Sequence, residues 1–242
     1  NNHRVQKFDG KLGGYIMKFG SRGNGEGQFN APWGIAIDRV RGYIYVVDSA
    51  NFRVQKFDMT GEFIMSWGSF GNGDGQFYFP RGIAVDQADG TVYVVDMGNH
   101  RVQKFDTSTN VLPQLLTKWG GSSEAGHASS ALAQEAGQLR SPWGIAVDGH
   151  GDVYVTDTGN HRLEKFDREG NFISQWGGFG GSDGQFNFPY GIVVDSRGSV
   201  FAVDSGNTRV QQFMPAEEGS ERLQEEADAA AELGQIDKTT RV

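Results

Sequence analysis

The segment "DSANFRVQKFD" (Asp48 to Asp58) recurs as "DMGNHRVQKFD", "DTGNHRLEKFD" and, loosened at its end, "DSGNTRVQQF". This repetition limits the possible folds more than any other feature. Aligned on its arginine, the segment gives Arg4, Arg53, Arg101, Arg162 and Arg209, at intervals of 49, 48, 61 and 47 residues. The long interval contains extra material, "SSEAGHASSALAQEA" (Ser122 to Ala136). A fixed period of this size marks units that cannot bury their apolar faces alone and must stack on neighbours.

Within the unit Gly71 to Gly120, "GIAVD" and "TVYVVD" are nearly continuous apolar runs, "RVQKFD" is mixed, and "QLLTKWG" ends on an aromatic. Four short strands per unit predict a β-propeller blade. The gradient predicts that the first two strands are innermost and buried on both faces, with the later strands nearer solvent. The 36 glycines, set against 17 Phe, 7 Tyr and 5 Trp, fit short strands joined by tight turns. "QADG", "MGN" and "GNGDGQFYFP" supply those turns, with glycine at positions that need positive φ. Four innermost, four second, five third and four outer strands can be counted, about four and a quarter units. The first and last segments both supply a third strand and do not complement each other, so a portion of a larger ring is expected. A smaller closed ring is the alternative.

The pattern "GxGxGQFxxPxGIAVD…VYVVDxxNxRVQKFDxxGxF" resembles the NHL repeat family over residues 1–213, nearly nine tenths of the chain. Departures are "GQL" (Gly137 to Leu139) in place of "GQF", and Gln212 where the other units have Lys. The resemblance implies a propeller, usually of six blades, so that these units would be part of a six-bladed ring, and one that most often binds macromolecules without catalysis. Some relatives bind RNA through a basic face. Related propellers include metal-dependent amidating lyases and lactonase-like hydrolases, with His and carboxylates in the central channel.

The recurring Asp and Arg, always five apart, pair Asp48 with Arg53, Asp96 with Arg101, Asp157 with Arg162 and Asp204 with Arg209. A catalytic set is normally unique, whereas this one stands in every unit, so its expected role is to build turns. The Asp should accept N–H groups of its own turn, the Asn should take the left-handed conformation, and the Arg should reach back in a two-pronged pair. Asp38, Asp86, Asp148 and Asp195 end the innermost strands and are expected to cap their own turns. A carboxylate ring holding Ca²⁺ is the alternative; no other cofactor is expected. The glycine-rich linkers lack the strand-to-helix transition and the Lys-Ser/Thr of a phosphate-cradling loop.

If the repeated positions are scaffold, function should sit where equivalent positions differ. After the linker proline stand Trp33, Arg81, Trp143 and Tyr190, at the start of the innermost strands and near the channel mouth. Before the repeated arginine stand His3, Phe52, His100, His161 and Thr208, in turns expected on the same face of the disc. Two Trp, a Tyr and an Arg around one opening have the composition of a recognition hot spot. Trp33, Arg81, Trp143, Tyr190, Phe52, His100 and His161 are therefore the candidate partner-binding residues. Packing between blades is the competing reading, and His100 with His161 as metal ligands is a weaker one.

The formal charge of −8 is uneven. Residues 214–242 hold eight acidic and three basic residues, a net of −5, which leaves −3 for the body. Neither part offers the clustered cations of a general phosphate-binding surface, so nucleic acid is an unfavoured partner. The tail "SERLQEEADAAAELG" (Ser220 to Gly234) carries helix signals. With no cysteines there are no disulfides or thiolate metal sites, and no apolar run approaches the roughly 18 residues of a membrane span. The chain begins at Asn1 without Met, as after removal of a signal peptide, and an extracytoplasmic or secreted location is the expectation. The functional expectation is a non-enzymatic scaffold that binds a protein partner. The alternatives are a metal-dependent lyase or lactonase-like hydrolase, although "GIAID", "GIAVD", "GIAVD" and "GIVVD" carry no His, and an extracytoplasmic ligand-sensing module.

Overall fold

The computed structural model describes residues 2–109, 111–121 and 135–215. The helix signalled in the acidic tail, and most of the insert, lie outside the described residues. The chain opens with the hairpin β1 (Val5–Phe8) and β2 (Tyr15–Phe19), followed by the short parallel pair β3 (Ser21–Arg22) and β4 (Gln28–Phe29). A four-stranded antiparallel sheet follows: β5 (Pro32–Asp38), β6 (Tyr43–Asp48), β7 (Arg53–Asp58) and β8 (Phe63–Trp67). The second has β9 (Pro80–Val85), β10 (Val92–Asp96), β11 (Arg101–Asp106) and β12 (Gln114–Trp119). The third has β13 (Ile145–Val147), β14 (Val153–Asp157), β15 (Arg162–Phe166) and β16 (Phe172–Gly177). The last is three-stranded, with β17 (Pro189–Val194), β18 (Val200–Asp204) and β19 (Arg209–Phe213).

These four blades form a propeller in which the innermost strands stand side by side, β5 against β9, β9 against β13 and β13 against β17. Core residues lie between blades and not within them. Tyr45, Val47, Val54 and Trp67 of the first blade meet Ile83, Val85, Val92 and Phe105 of the second. Tyr93, Val95 and Val102 of the second meet Ile145, Val153 and Phe166 of the third, and Tyr154 and Leu163 of the third meet Ile192, Val200 and Ala202 of the fourth. Each core is plugged by the apolar residue of the linker motif, Phe29, Phe77, Leu139 or Phe186, all fully or almost fully buried. A ring buried in this way contributes about 1.5–3 kcal/mol. Leu139 shows that "GQL" fills the same seat as "GQF". The glycine after each outer-strand aromatic makes room for the plug: a Cβ on Gly68, whose φ is +105°, would lie 2.6 Å from the Phe77 ring.

The expected burial gradient needs correction. The second and third strands are the most buried, whereas the innermost strands alternate between buried and partly open positions. The physical reason is that an innermost strand borders the channel and has no sheet neighbour on that side. Among the described residues, one face of the last blade is also uncovered, and the β1–β2 hairpin covers Ile44, Val46 and Phe57 of the first blade but not its innermost strand. Val203 and Val210 are exposed where their register equivalents Val95 and Val102 are buried, and Ile35 is exposed where Ile83 is buried.

The repeated Asp, Asn and Arg fasten each blade to the linker that precedes it. Asp48 Oδ1 accepts the N–H of Asn30 at 2.6 Å, and Asp96, Asp157 and Asp204 accept those of Tyr78, Arg140 and Asn187 at 2.6–2.7 Å. The other oxygen of Asp48 accepts from Asn51 Nδ2, Arg53 Nε and Gln55 Nε2 at 2.8, 2.8 and 3.1 Å. Three details differ from expectation. The Asp accepts a backbone N–H of the linker and none of its own 3₁₀ turn, whose contribution is the Asn side chain. The left-handed residue is the one after the Asn: His3, Phe52, His100, His161 and Thr208 have φ of 48–58°. The arginine meets the carboxylate through Nε alone, because its Nη2 is drawn to linker carbonyls: Gly25 and Gln28 for Arg53, Gly73 and Gln76 for Arg101. The glycine-rich loop thus aims carbonyls at a cation, the reverse of a phosphate cradle.

The Asp96 side chain is fully buried, so removing either partner leaves an uncompensated charge. Asp96→Ala is expected to lower unfolding free energy by about 3–5 kcal/mol in urea denaturation. Asp183→Ala, which removes the solvent-exposed partner of Arg209, should leave the midpoint unchanged.

Candidate functional site

The linkers and the second-to-third-strand turns lie together on one face, as the hydrogen bonds between them require. On that face, at the start of the innermost strands, the structure brings Trp33, Arg81, Trp143 and Tyr190 into one continuous stack. The Arg81 guanidinium carbon lies 4.6 Å from the Trp33 ring and 4.7 Å from the Trp143 ring. The two indoles meet edge to face at 5.3 Å, although a whole blade separates their strands. Trp143 stacks on Tyr190 at 4.6 Å with 25° between planes. Trp33 is 54% exposed and Tyr190 37%, so the two ends of the stack face solvent.

The glycine that follows the first three of these residues, in "PWG", "PRG" and "PWG", explains their convergence. A Cβ on Gly82 would lie 2.6 Å from the Trp143 carbonyl oxygen, and Cβ atoms on Gly34 and Gly144 would collide with the carbonyls of Arg81 and Tyr190. Without side chains, adjacent innermost strands approach closely enough for the neighbouring variable side chains to touch. Thr156, where the first two blades have Val, adds a further tie: its Oγ1 accepts the Gly144 N–H at 2.7 Å and donates to the Tyr190 carbonyl at 2.9 Å.

Arg81 differs from the four repeated arginines. Its Nη1 donates to Ser49 Oγ at 3.3 Å, its Nε is buried without a partner, and no carboxylate among the described residues forms an ion pair with it. Burial pulls its guanidinium below the ordinary value. Cation–π contact with two indoles offsets part of that cost, roughly 0.5–2 kcal/mol per ring.

Phe52, His100 and His161 are not part of the stack. They sit in the turns and hold the following linker from its other side. His100 Nδ1 accepts the Ser141 N–H at 2.8 Å, His161 Nδ1 accepts that of Phe188 at 3.1 Å, and His3 Nδ1 accepts that of Ala31 at 3.2 Å. Those three acceptor contacts all go to a left-handed residue that precedes a proline. Phe52 replaces the hydrogen bond with ring contacts to Phe70 and Phe79 at 5.1 and 5.8 Å. Burial lowers both His100 and His161, which keeps Nδ1 available as an acceptor. With one ring nitrogen committed to separate linkers, the two histidines do not converge on one ion.

At the far end of the innermost strands, each carboxylate caps its own turn. Asp38 Oδ1 accepts from Val40 and Arg41, Asp86 from Ala88, Asp148 from His150 and Asp152, and Asp195 from Arg197 and Ser199. The second oxygens of Asp38, Asp86 and Asp148 face Arg41, Arg168 and the Tyr154 hydroxyl. Among the described residues, no three His, Asp or Glu side chains gather as a metal-binding group.

Glu164 is the residue that sequence reasoning missed. It occupies the position of Gln55, Gln103 and Gln211, whose amides donate to a linker carbonyl and to the buried Asp. A carboxylate there presents oxygen to two acceptors. Glu164 Oε1 is held by Arg162 at 2.7 Å and by the Gly137 N–H at 3.3 Å, while its buried Oε2 has no partner. Burial pushes its carboxyl up to about 7, outweighing Arg162, with the Asp157 charge adding to the rise. The signal was the "RLEKFD" that breaks the register of "RVQKFD".

Four segments, residues 29–57, 77–105, 139–166 and 186–213, match the NHL repeat family model. The chain is an NHL-repeat propeller. A curated relative, the rat E3 ubiquitin-protein ligase TRIM71, is 46% identical over 46 residues, which is 19% of this chain and 5% of that protein. A solved protein of unknown function from Bacteroides thetaiotaomicron superposes with TM-score 0.63 at 20% identity, over 88% of this chain and 54% of its own. The virginiamycin B lyase of Staphylococcus aureus superposes with TM-score 0.55 at 12% identity, over 89% of this chain and 64% of its own. The NHL chain thus spans between about half and two thirds of these two structures, and a small fraction of TRIM71. The structural likenesses establish the propeller fold alone.

A carboxyl whose folded pKa lies above its unfolded value near 4.5 favours folding while protonated, and that contribution is lost as pH rises from about 4.5 through about 7. Glu164→Gln restores the amide of the other blades. It is expected to raise stability at pH 8 by about 1–3 kcal/mol, the cost of one buried unsatisfied acceptor. It should also remove the decline in melting temperature between pH 5 and pH 7, read by thermal unfolding across that range.

Proposed function

We propose that this propeller is a non-enzymatic binding module that presents the mouth of its channel to a protein partner. The observation that carries this reading is the stack Trp33–Arg81–Trp143–Tyr190. Four side chains that vary at one equivalent repeat position are gathered into a single, partly exposed group. They open the innermost strands of adjacent blades, which approach closely at Gly34, Gly82 and Gly144, so little ordering entropy is lost when a partner binds. Aromatic and Arg residues at the centre of a rigid surface are the types that dominate binding energy in protein interfaces.

Chemistry elsewhere gives no comparable support to a metal-dependent lyase. The innermost strands carry no His, and three of the four carboxylates that end them are paired with Arg41, Arg168 and Tyr154. The repeat shared with a ubiquitin-protein ligase fits a recognition role. Combined substitution of Trp33, Trp143 and Tyr190 by Ala is expected to reduce recovery of cross-linked protein partners at least about tenfold, the effect of losing one hot-spot residue or more. Undiminished recovery by a variant with an unchanged melting profile would move the binding surface elsewhere.

A further inference from the structure

The channel-mouth stack contains a charge that no described residue neutralises, and the identity of that charge selects a ligand. Arg53, Arg101, Arg162 and Arg209 each give Nε to a buried carboxylate and Nη2 to linker carbonyls. Arg81 does neither. Of its five donors, the described residues engage one, through a single 3.3 Å contact to Ser49 Oγ. A partly desolvated guanidinium between two indoles, without a counter-ion among the described residues, is an incomplete arrangement.

We infer that the Trp33–Arg81–Trp143–Tyr190 stack takes the carboxylate of an Asp or Glu side chain from an acidic peptide segment, with Arg81 as its ion-pair partner. The inference rests on the proposed binding role of the stack and names the chemistry of its ligand. A carboxylate accepts two parallel N–H groups from one guanidinium and supplies the missing counter-charge. Trp33 and Tyr190, exposed at the two ends, would pack against the apolar residues flanking the acidic one. Such a contact excludes water from the ion pair and strengthens it. The aromatic rings pin the guanidinium plane, so no side-chain entropy is lost in aiming it.

A nucleic-acid strand fits less well. Neutralising a phosphodiester backbone takes several cations in a row. Arg81 is the only cationic residue of the stack, and the body around it is net negative. RNA binding is therefore kept as an outcome of the test and not as part of the inference.

The test uses an array of nonapeptides, acetylated and amidated so that no terminal charge contributes. Each carries a central Glu flanked by varied apolar residues, and each has a twin with Gln at the centre. The full-length protein is expected to retain a subset of Glu peptides at least about tenfold more tightly than their Gln twins. That ratio should fall to about one in Arg81→Gln and to an intermediate value in Arg81→Lys, which keeps the charge and loses the planar fork. The Glu-to-Gln ratio on the unaltered protein is decisive even if Arg81→Gln fails to fold. Equal retention of both twins, retention of neither, or an undiminished ratio in a folded Arg81→Gln would overturn the inference. So would Arg81-dependent capture of a single-stranded RNA oligonucleotide together with indifference to the Glu peptides. If Arg81→Gln keeps its protein partners while the triple aromatic variant loses them, the proposed function stands and the carboxylate reading fails.

Discussion

One buried carboxylate per blade is the contact on which the architecture depends. An NHL blade is four short strands with two apolar faces, and neither face can be satisfied within the unit. Asp48, Asp96, Asp157 and Asp204 each sit at the end of a second strand with no exposed surface. Each gathers a linker N–H on one oxygen and the Asn and Arg of its own turn on the other. A lone buried carboxylate would be costly, and one with three to four donors is held in a single geometry. The same arginine then draws in the linker carbonyls, which seats Phe29, Phe77, Leu139 or Phe186 between the blades. The ionic clamp and the apolar plug are therefore one device: the carboxylate fixes the loop whose aromatic closes the core.

Once this device has fixed each linker, the residue after the linker proline is released from scaffold duty. It points to the channel mouth from a strand whose neighbour is held at close range by glycine on glycine-bearing backbone. Four different residues at that position therefore make one surface and not four isolated decorations. The turn residues serve the linker instead. His100 and His161 hold it through Nδ1, and Phe52 holds it through ring contacts. The division follows from distance along the strand: one position opens the innermost strand, the other faces back over the loop.

Much of this was legible in the sequence. The period, the strand runs and the recurring Asp–Arg spacing specify the sheets and their order, because a repeat prints the same local chemistry several times. The partners of that chemistry were harder to read. The N–H that Asp48 accepts belongs to Asn30, 18 residues earlier, and the carbonyls that Arg53 binds lie 25 and 28 residues earlier. Sequence-local reasoning gave the Asp the N–H groups of its own turn and gave the Arg a two-pronged pair with that Asp. Likewise the contact between Trp33 and Trp143 passes over a blade, so adjacency in repeat number understates it. Glu164 was visible only by setting one repeat over the next, where a single Gln-to-Glu change leaves a buried oxygen without a donor.

The central claim concerns the linker amides that the buried carboxylates accept, those of Asn30, Tyr78, Arg140 and Asn187. Native-state hydrogen exchange measures them directly. The Tyr78 side chain is 39% exposed, so burial of the residue does not account for slow exchange at its amide. The account predicts that these four amides exchange as slowly as strand amides in the interblade core, such as that of Val94, because they open only when blades separate. Exchange at the rate of the neighbouring exposed loop amides would show that the carboxylates do not hold the blades together.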